Sequence, residues 1–195
     1  MNTAIVLAAG TSSRFPGHKL LCTIGGKTLL RHTVERVLAC GEIETCSVVV
    51  RKSQRAIIQA VEGLPVELAL VEGTVAHSES LKAGLGSLPT GMRRVLVALG
   101  DQPASTDLLT RVMREAIRSD RDVLVPTYLG QRGNPVVFRS EFIPKLYRLS
   151  GDSGARSLLN RFPDDVLELE LGAVRPPDLD SEADLGSVER YLRTT

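Results

Sequence analysis

Five apolar residues in succession, Val95-Leu96-Val97-Ala98-Leu99, offer no polar side to water, and they stop abruptly at Gly100-Asp101-Gln102-Pro103. A strand of this kind belongs inside a sheet that is covered on both faces, the habit of parallel strands lying between two helical layers. The rest of the chain supplies those layers. Strand-like runs at 3–8, 47–51, 66–71, 123–126, 135–138 and 166–171 alternate with helical patterns near 28–40, 56–61, 81–88, 105–117, 140–147, 153–161 and 182–192. Leu30, Val34, Val37 and Leu38 mark one buried helix face, with Thr28 as its N-cap and Gly41 as its C-terminal glycine. Leu81, Leu85 and Leu88 mark a second, and Leu108, Leu109, Val112, Met113, Ala116 and Ile117 a third. The predicted fold is α/β and three-layered: a mostly parallel central sheet with helices on both faces. At 195 residues, a single domain over 1–195 is expected.

Ligands of open parallel sheets sit outside the carboxyl ends of the strands. Two segments fall on that rim. Residues 4–6 run into Leu7-Ala8-Ala9-Gly10-Thr11-Ser12-Ser13-Arg14-Phe15-Pro16-Gly17-His18-Lys19, a loop of small residues ending in two cations, Arg14 and Lys19. Its backbone N–H groups and fixed charge suit an anion, above all a polyphosphate. Asp101, emerging from the most apolar strand, is the second. It reads equally as a turn residue or as a carboxylate for Mg²⁺, a cation that commonly bridges one or two carboxylates to substrate phosphates.

Further along, Ser181 and Asp184 fit a helix cap, which leaves Asp178 and Asp180 of Asp178-Leu179-Asp180 as alternatives for a second metal ligand. Gly151-Asp152-Ser153-Gly154-Ala155-Arg156 reads as a helix start, or as N–H groups and a guanidinium facing an anionic acceptor. His77-Ser78-Glu79-Ser80 likewise opens a helix whose hydroxyls could reach a nucleoside, and His18 and His77 read as polar loop residues. Familiar nucleotide signatures are absent. Gly26-Lys27-Thr28 has Leu21 where a Walker A loop needs its first glycine, and Gly84-Leu85-Gly86 meets Pro89 where a dinucleotide fingerprint needs its third.

A net charge of +1 argues against a nucleic-acid partner, so phosphate-binding charge must be local. No apolar run approaches the roughly 20 residues of a membrane span. Neither an export signal nor a paired-cysteine pattern is visible in Cys22, Cys40 and Cys46, and a cytoplasmic protein is expected.

The ordered combination of these segments resembles the molybdenum cofactor nucleotidyltransferases, within the glycosyltransferase-A-like, Rossmann-like nucleotidyltransferase fold. Leu7 to Lys19 is similar to the family's opening pattern, LAAG or LAGG followed by xSxRMGxxK, with Phe15-Pro16 in place of Met-Gly. Gly100-Asp101-Gln102-Pro103 is similar to its metal-binding turn. Gly130-Gln131-Arg132-Gly133-Asn134-Pro135, the 151–156 turn and Asp178-Leu179-Asp180-Ser181 are similar to its cytidylyltransferase branch. The resemblance runs nearly end to end, though the usual glycine-rich lead-in to the His77–Leu81 segment is missing.

It implies a Mg²⁺-dependent enzyme that transfers CMP from CTP to the terminal phosphate of molybdopterin and releases pyrophosphate, in support of a molybdenum hydroxylase. By the same resemblance, residues 1–104 form the nucleotide-binding half and 105–195 the acceptor-binding half. Leu7, Ala8, Ala9, Gly10, Thr11, Ser12, Arg14, Lys19, Ser78, Ser80 and Gly100 would contact the nucleotide, with Lys19, Arg14 and Asp101 catalytic. Asp101 and Asp180 would hold the metal, and Gln102, Asn134, Asp152, Ser153, Gly154 and Arg156 would face the acceptor. LAAG, with Ala9 adding a methyl, resembles the CTP-using branch rather than the GTP-using one. The competing expectations are another phosphorylated acceptor, such as a phospholactate or sugar phosphate, and a non-catalytic molybdopterin carrier. The intact Lys19 and Asp101 count against the carrier.

Overall fold

The computed structural model describes residues 1–11, 15, 17–151 and 156–195, with the side chain of Arg156 excepted. In chain order the first elements are β1 (Asn2–Leu7), the hairpin β2 (Thr23–Ile24) and β3 (Lys27–Thr28), α1 (Leu29–Leu38) and β4 (Thr45–Arg51). Next come α2 (Arg55–Ala60), β5 (Glu67–Val71), α3 (His77–Gly86), β6 (Arg94–Leu99) and α4 (Thr106–Arg118). The remainder is β7 (Val123–Tyr128), β8 (Gln131–Arg132), β9 (Val136–Arg139), α5 (Ile143–Leu146), α6 (Arg156–Arg161), β10 (Val166–Glu170) and α7 (Leu185–Thr194).

Among the described residues eight strands form one sheet, ordered β10-β7-β9-β6-β1-β4-β5, with β8 paired to β7. β5, β4, β1 and β6 are mutually parallel, as are β10 and β7. β9 lies antiparallel between β6 and β7. The expected mostly parallel, three-layer architecture is what the chain adopts.

The apolar run of β6 is explained by which side chains go where. Leu96 and Ala98 join Ala4 and Val6 of β1 in a core roofed by α1, α2 and α4. Val95 and Val97 face the other way with Ile5, into a core built by α3, α5 and α6. Each strand residue therefore meets protein on whichever side it points, so polar alternation has no place here. Helix α3 lies especially close to the sheet: a Cβ at Gly84 would stand 2.7 Å from Ile5 and 2.9 Å from Val49.

The caps follow the sequence in part. Thr28 accepts from the Arg31 N–H and Ser105 from that of Leu108. Gly41 does not close α1, as had been expected. The helix ends at Leu38, its cap Ala39 keeps right-handed backbone, and Gly41 has no positive φ. Ile117, expected in the core, is 39% exposed. The β2–β3 hairpin was not expected, although Gly25 and Gly26, at φ 56° and 82°, are the pair a tight hairpin turn requires. Among the described residues no helix is long and apolar enough to cross a membrane.

Candidate active site

Register puts the rim together. Leu7 at the end of β1 pairs with Leu99 at the end of β6 and with Val49 of β4. The Gly100 N–H donates to the Leu7 carbonyl at 2.9 Å, and the Thr33 hydroxyl donates to the Gly100 carbonyl at 2.9 Å. A Cβ at Gly100 would lie 3.1 Å from Leu30 and 3.2 Å from the Leu7 oxygen, so a larger residue would push the two rim segments apart.

Between them opens a cavity of about 240 Å³. One wall is Leu7 to Thr11; facing it, at the start of α3, are Val75, His77 and Ser80; Leu99, Asp101, Lys19 and Asp180 close the end. The Ala8 N–H donates to the Val49 carbonyl at 2.9 Å, which ties the start of the loop to β4. The Gly10 carbonyl is held by the Arg51 guanidinium at 3.0 Å. His18 shares a 2.6 Å contact with Gln54, and burial, with the charges of Arg51 and Lys19 added, holds its pKa below the ordinary histidine value.

The charged end is the centre of the site. Lys19 Nζ lies 2.5 Å from Asp101 Oδ2 and 3.0 Å from Asp180 Oδ1. Burial works to lower the Lys19 pKa, but Asp101 and Asp180 outweigh it and leave it raised. The ammonium is therefore charged, and it neutralises one of two carboxylates that would otherwise repel each other at close range.

Asp180 reaches this point because its neighbours are fixed. Leu179 is fully buried with Ile24, Leu29 and Val188, and its N–H lies 3.4 Å from the Asp101 carbonyl. Downstream, Asp184 Oδ2 accepts from the Asp180 N–H, the Ser181 N–H and the Ser181 hydroxyl. Those bonds are the expected capping arrangement, and they hold the Asp184 carboxyl below its ordinary pKa. Asp178 faces elsewhere. Gln102 Nε2 donates a short bond to its Oδ1, and Arg175 lies 3.3 Å from its Oδ2. Burial and the nearby Asp101 charge raise the Asp178 pKa, while Gln102 and Arg175 oppose that rise.

Of the residues expected at the nucleotide, Leu7, Ala8, Ala9, Gly10, Thr11, Lys19 and Ser80 line the cavity. Gly100 and Ser78 do not: Gly100 packs the rim, and Ser78, 1% exposed, gives its N–H to the Gly151 carbonyl at 3.3 Å. Gln102 and Asn134 meet in a narrow cleft with Leu99, Pro135 and Pro176. Ser12, Arg14, Asp152, Ser153 and Gly154 lie outside the described residues, as does the side chain of Arg156, whose backbone opens α6. His77 and Val75 were not expected in the lining. The signal for them was position: both sit where α3 begins, at the carboxyl end of β5.

The two carboxylates sharing one ammonium fit a divalent cation. Among the described residues no group of three or more His, Cys, Asp or Glu side chains converges. A divalent cation there would be held by the carboxylates of Asp101 and Asp180, since Mg²⁺ at phosphate-transfer sites commonly takes one or two carboxylates beside substrate oxygens and water.

Residues 4–166 match the family model described as the MobA-like NTP transferase domain. The chain belongs to that nucleotidyltransferase family. Among relatives, the bifunctional protein GlmU of Agrobacterium fabrum is 32% identical over 71% of the chain and 34% of its own length. A probable molybdenum cofactor guanylyltransferase of Thermococcus sibiricus is 37% identical over 51% of the chain and 47% of its own length. The chain thus spans about a third to a half of these curated relatives. Among solved structures, Rv0371c of Mycobacterium tuberculosis H37Rv, in a complex with manganese, superposes with a TM-score of 0.83 at 25% identity, covering 97% of this chain and 98% of that one. The glycosyltransferase-A-like nucleotidyltransferase fold and the enzyme class are those of the family.

Proposed function

We propose that this MobA-like nucleotidyltransferase transfers CMP from CTP to the terminal phosphate of molybdopterin, with Mg²⁺ as its metal, and that the product supplies a molybdenum hydroxylase. We read residues 1–195 as one domain, with the nucleotide bound by residues 1–104 and the acceptor by 105–195. The observation that carries the reading is Lys19 held between Asp101 and Asp180 at the end of a cavity walled by Leu7 to Thr11. A cation and two acidic groups beneath a small-residue loop are the charges a triphosphate and its metal call for.

In this reaction an oxygen of the acceptor phosphate attacks the α-phosphorus of CTP, and the bond from that phosphorus to the bridging oxygen breaks. Pyrophosphate leaves with the electron pair. Little covalent chemistry falls to the protein, so positioning and charge neutralisation supply the rate. Lys19 and Arg14 hold the triphosphate, and Lys19 offsets charge that builds on the departing pyrophosphate. Asp101 and Asp180 are the metal ligands; when bound, the ion neutralises phosphate charge at the reacting end. Ala8 to Ser12 hold base and phosphates, with Ser80 at the opposite wall. The methyl of Ala9 narrows the loop side and favours cytosine, an effect worth about 1–3 kcal/mol for a group of that size.

Acceptor recognition we assign to the 151–156 turn, with Asp152, Ser153, Gly154 and Arg156. In support, the Gly151 carbonyl accepts from the Ser78 N–H at the start of α3, the helix whose His77 and Ser80 line the cavity. The guanylyltransferase relative favours a second reading, GMP transfer from GTP to the same acceptor class.

Pyrophosphate release measured with CTP and with GTP, against molybdopterin, a phospholactate and a sugar phosphate, separates these. CTP with molybdopterin is expected to turn over fastest. Turnover confined to GTP would establish the second reading, and turnover confined to a non-pterin acceptor would reject both.

A further inference from the structure

Gln102 does not present a free amide to a ligand. The Asn134 Nδ2 donates to Gln102 Oε1 at 3.0 Å, and Gln102 Nε2 donates the short bond to Asp178. Gln102 is 4% exposed, so both ends of its amide are used inside the protein. An ionised carboxylate only accepts, and Arg175 occupies the other oxygen of Asp178. Asp178 therefore fixes which way the Gln102 amide points, and Gln102 in turn requires the Asn134 amide to donate.

Both ends of this chain are anchored. At one end the Tyr128 hydroxyl donates to the Asn134 carbonyl at 3.1 Å, and the Gly133 N–H to the Pro126 carbonyl at 2.9 Å. Gly133 has no room for a side chain, because a Cβ would lie 2.7 Å from the Tyr128 ring. At the other end Asp178 is followed by the fully buried Leu179 and then by Asp180, whose carboxylate meets Lys19. The bonds thus run from the β8–β9 connection, across the turn that carries Asp101, to the segment that carries Asp180.

We infer that Gln102 and Asp178 are positioning residues: the Asn134–Gln102–Asp178 chain fixes the 178–180 segment so that the Asp180 carboxylate faces that of Asp101. This role rests on the assignment of Asp101 and Asp180 as metal ligands, and for Gln102 it stands against the expectation of an acceptor contact. Partners that orient metal ligands govern affinity for the ion even though they do not touch it.

The test is a charge exchange. Gln102→Glu sets two carboxylates face to face, and adding Asp178→Asn restores a donor opposite the new carboxylate. Mn²⁺ affinity is read by electron paramagnetic resonance in the presence of CTP, below the unfolding transition of each variant, beside the KM for molybdopterin. Gln102→Glu is expected to weaken Mn²⁺ binding by about 10- to 100-fold, the range for such outer partners, with the KM unchanged. The Gln102→Glu, Asp178→Asn pair should recover most of the loss. Should Gln102→Glu fail to fold, Gln102→Met removes both bonds without adding charge; it should also weaken Mn²⁺ binding, and Asp178→Asn should not rescue it. A raised KM with Mn²⁺ affinity intact would make Gln102 an acceptor contact and overturn the inference. Asp180→Asn is the reference: if it keeps wild-type Mn²⁺ affinity, the metal assignment falls and the positioning role with it. If Asp180→Asn loses the ion and Gln102→Glu does not, the positioning role alone is refuted.

Discussion

Lys19 does two jobs that pull against each other. In the protein alone its ammonium lies 2.5 Å from Asp101 and 3.0 Å from Asp180, tying the opening loop to the far end of the chain. In the proposed reaction the same charge serves the triphosphate. Lys19→Met removes both roles and separates them in measurement. Pyrophosphate release is expected to fall by about 100-fold or more, the usual cost of losing a group that stabilises developing charge. The variant leaves Asp101 and Asp180 facing each other without the ammonium, so its thermal midpoint should drop and then rise with added Mn²⁺ more steeply than that of the wild type. A midpoint no more Mn²⁺-dependent than the wild type's would show that the carboxylates do not share a cation position. At this scale the sequence was only partly legible. The loop cations and Asp101 could be placed on one rim because strand ends are. The Gln102–Asp178 bond links residues 76 positions apart and has no local signature.

Among the elements, α3 shows how closely sheet packing and cavity shape are tied. Its Gly84 lies against Ile5 and Val49, and its first turn carries His77 and Ser80 into the cavity wall. Gly84→Ala should raise intrinsic helix propensity, yet here the added methyl must displace side chains within the core. A net loss of about 1–3 kcal/mol is expected, the usual cost of overpacking, and denaturant unfolding measures it. A gain in stability, as propensity alone would give, would show that α3 can lift from the sheet without penalty. The elements themselves were largely legible. Continuous apolar runs marked β4 and β6, and the cap at Thr28 marked the start of α1. The antiparallel course of β9 was not, because side-chain alternation carries no strand direction. The β2–β3 hairpin was missed although Gly25-Gly26 marks it, because strands of two residues leave no period to read.

Across the whole molecule, the sheet brings together segments that are distant in sequence: the end of β1, the end of β6 and the approach to α7 meet at one cavity. That convergence, with the family to which the chain belongs, supports nucleotidyl transfer. The proposed base and acceptor rest on the Ala9 methyl and the 151–156 segment. In the proposed reaction the α-phosphoryl group of CTP moves to the acceptor while the β and γ groups depart together. Parallel reactions with molybdopterin, using CTP labelled at the α-phosphorus or at the γ-phosphorus, test it most directly. The α label is expected in a molybdopterin dinucleotide and the γ label in pyrophosphate, and Asp101→Asn is expected to abolish both. Recovery of the γ label on the acceptor, or of neither label in wild-type reactions supplied with Mg²⁺, would contradict it.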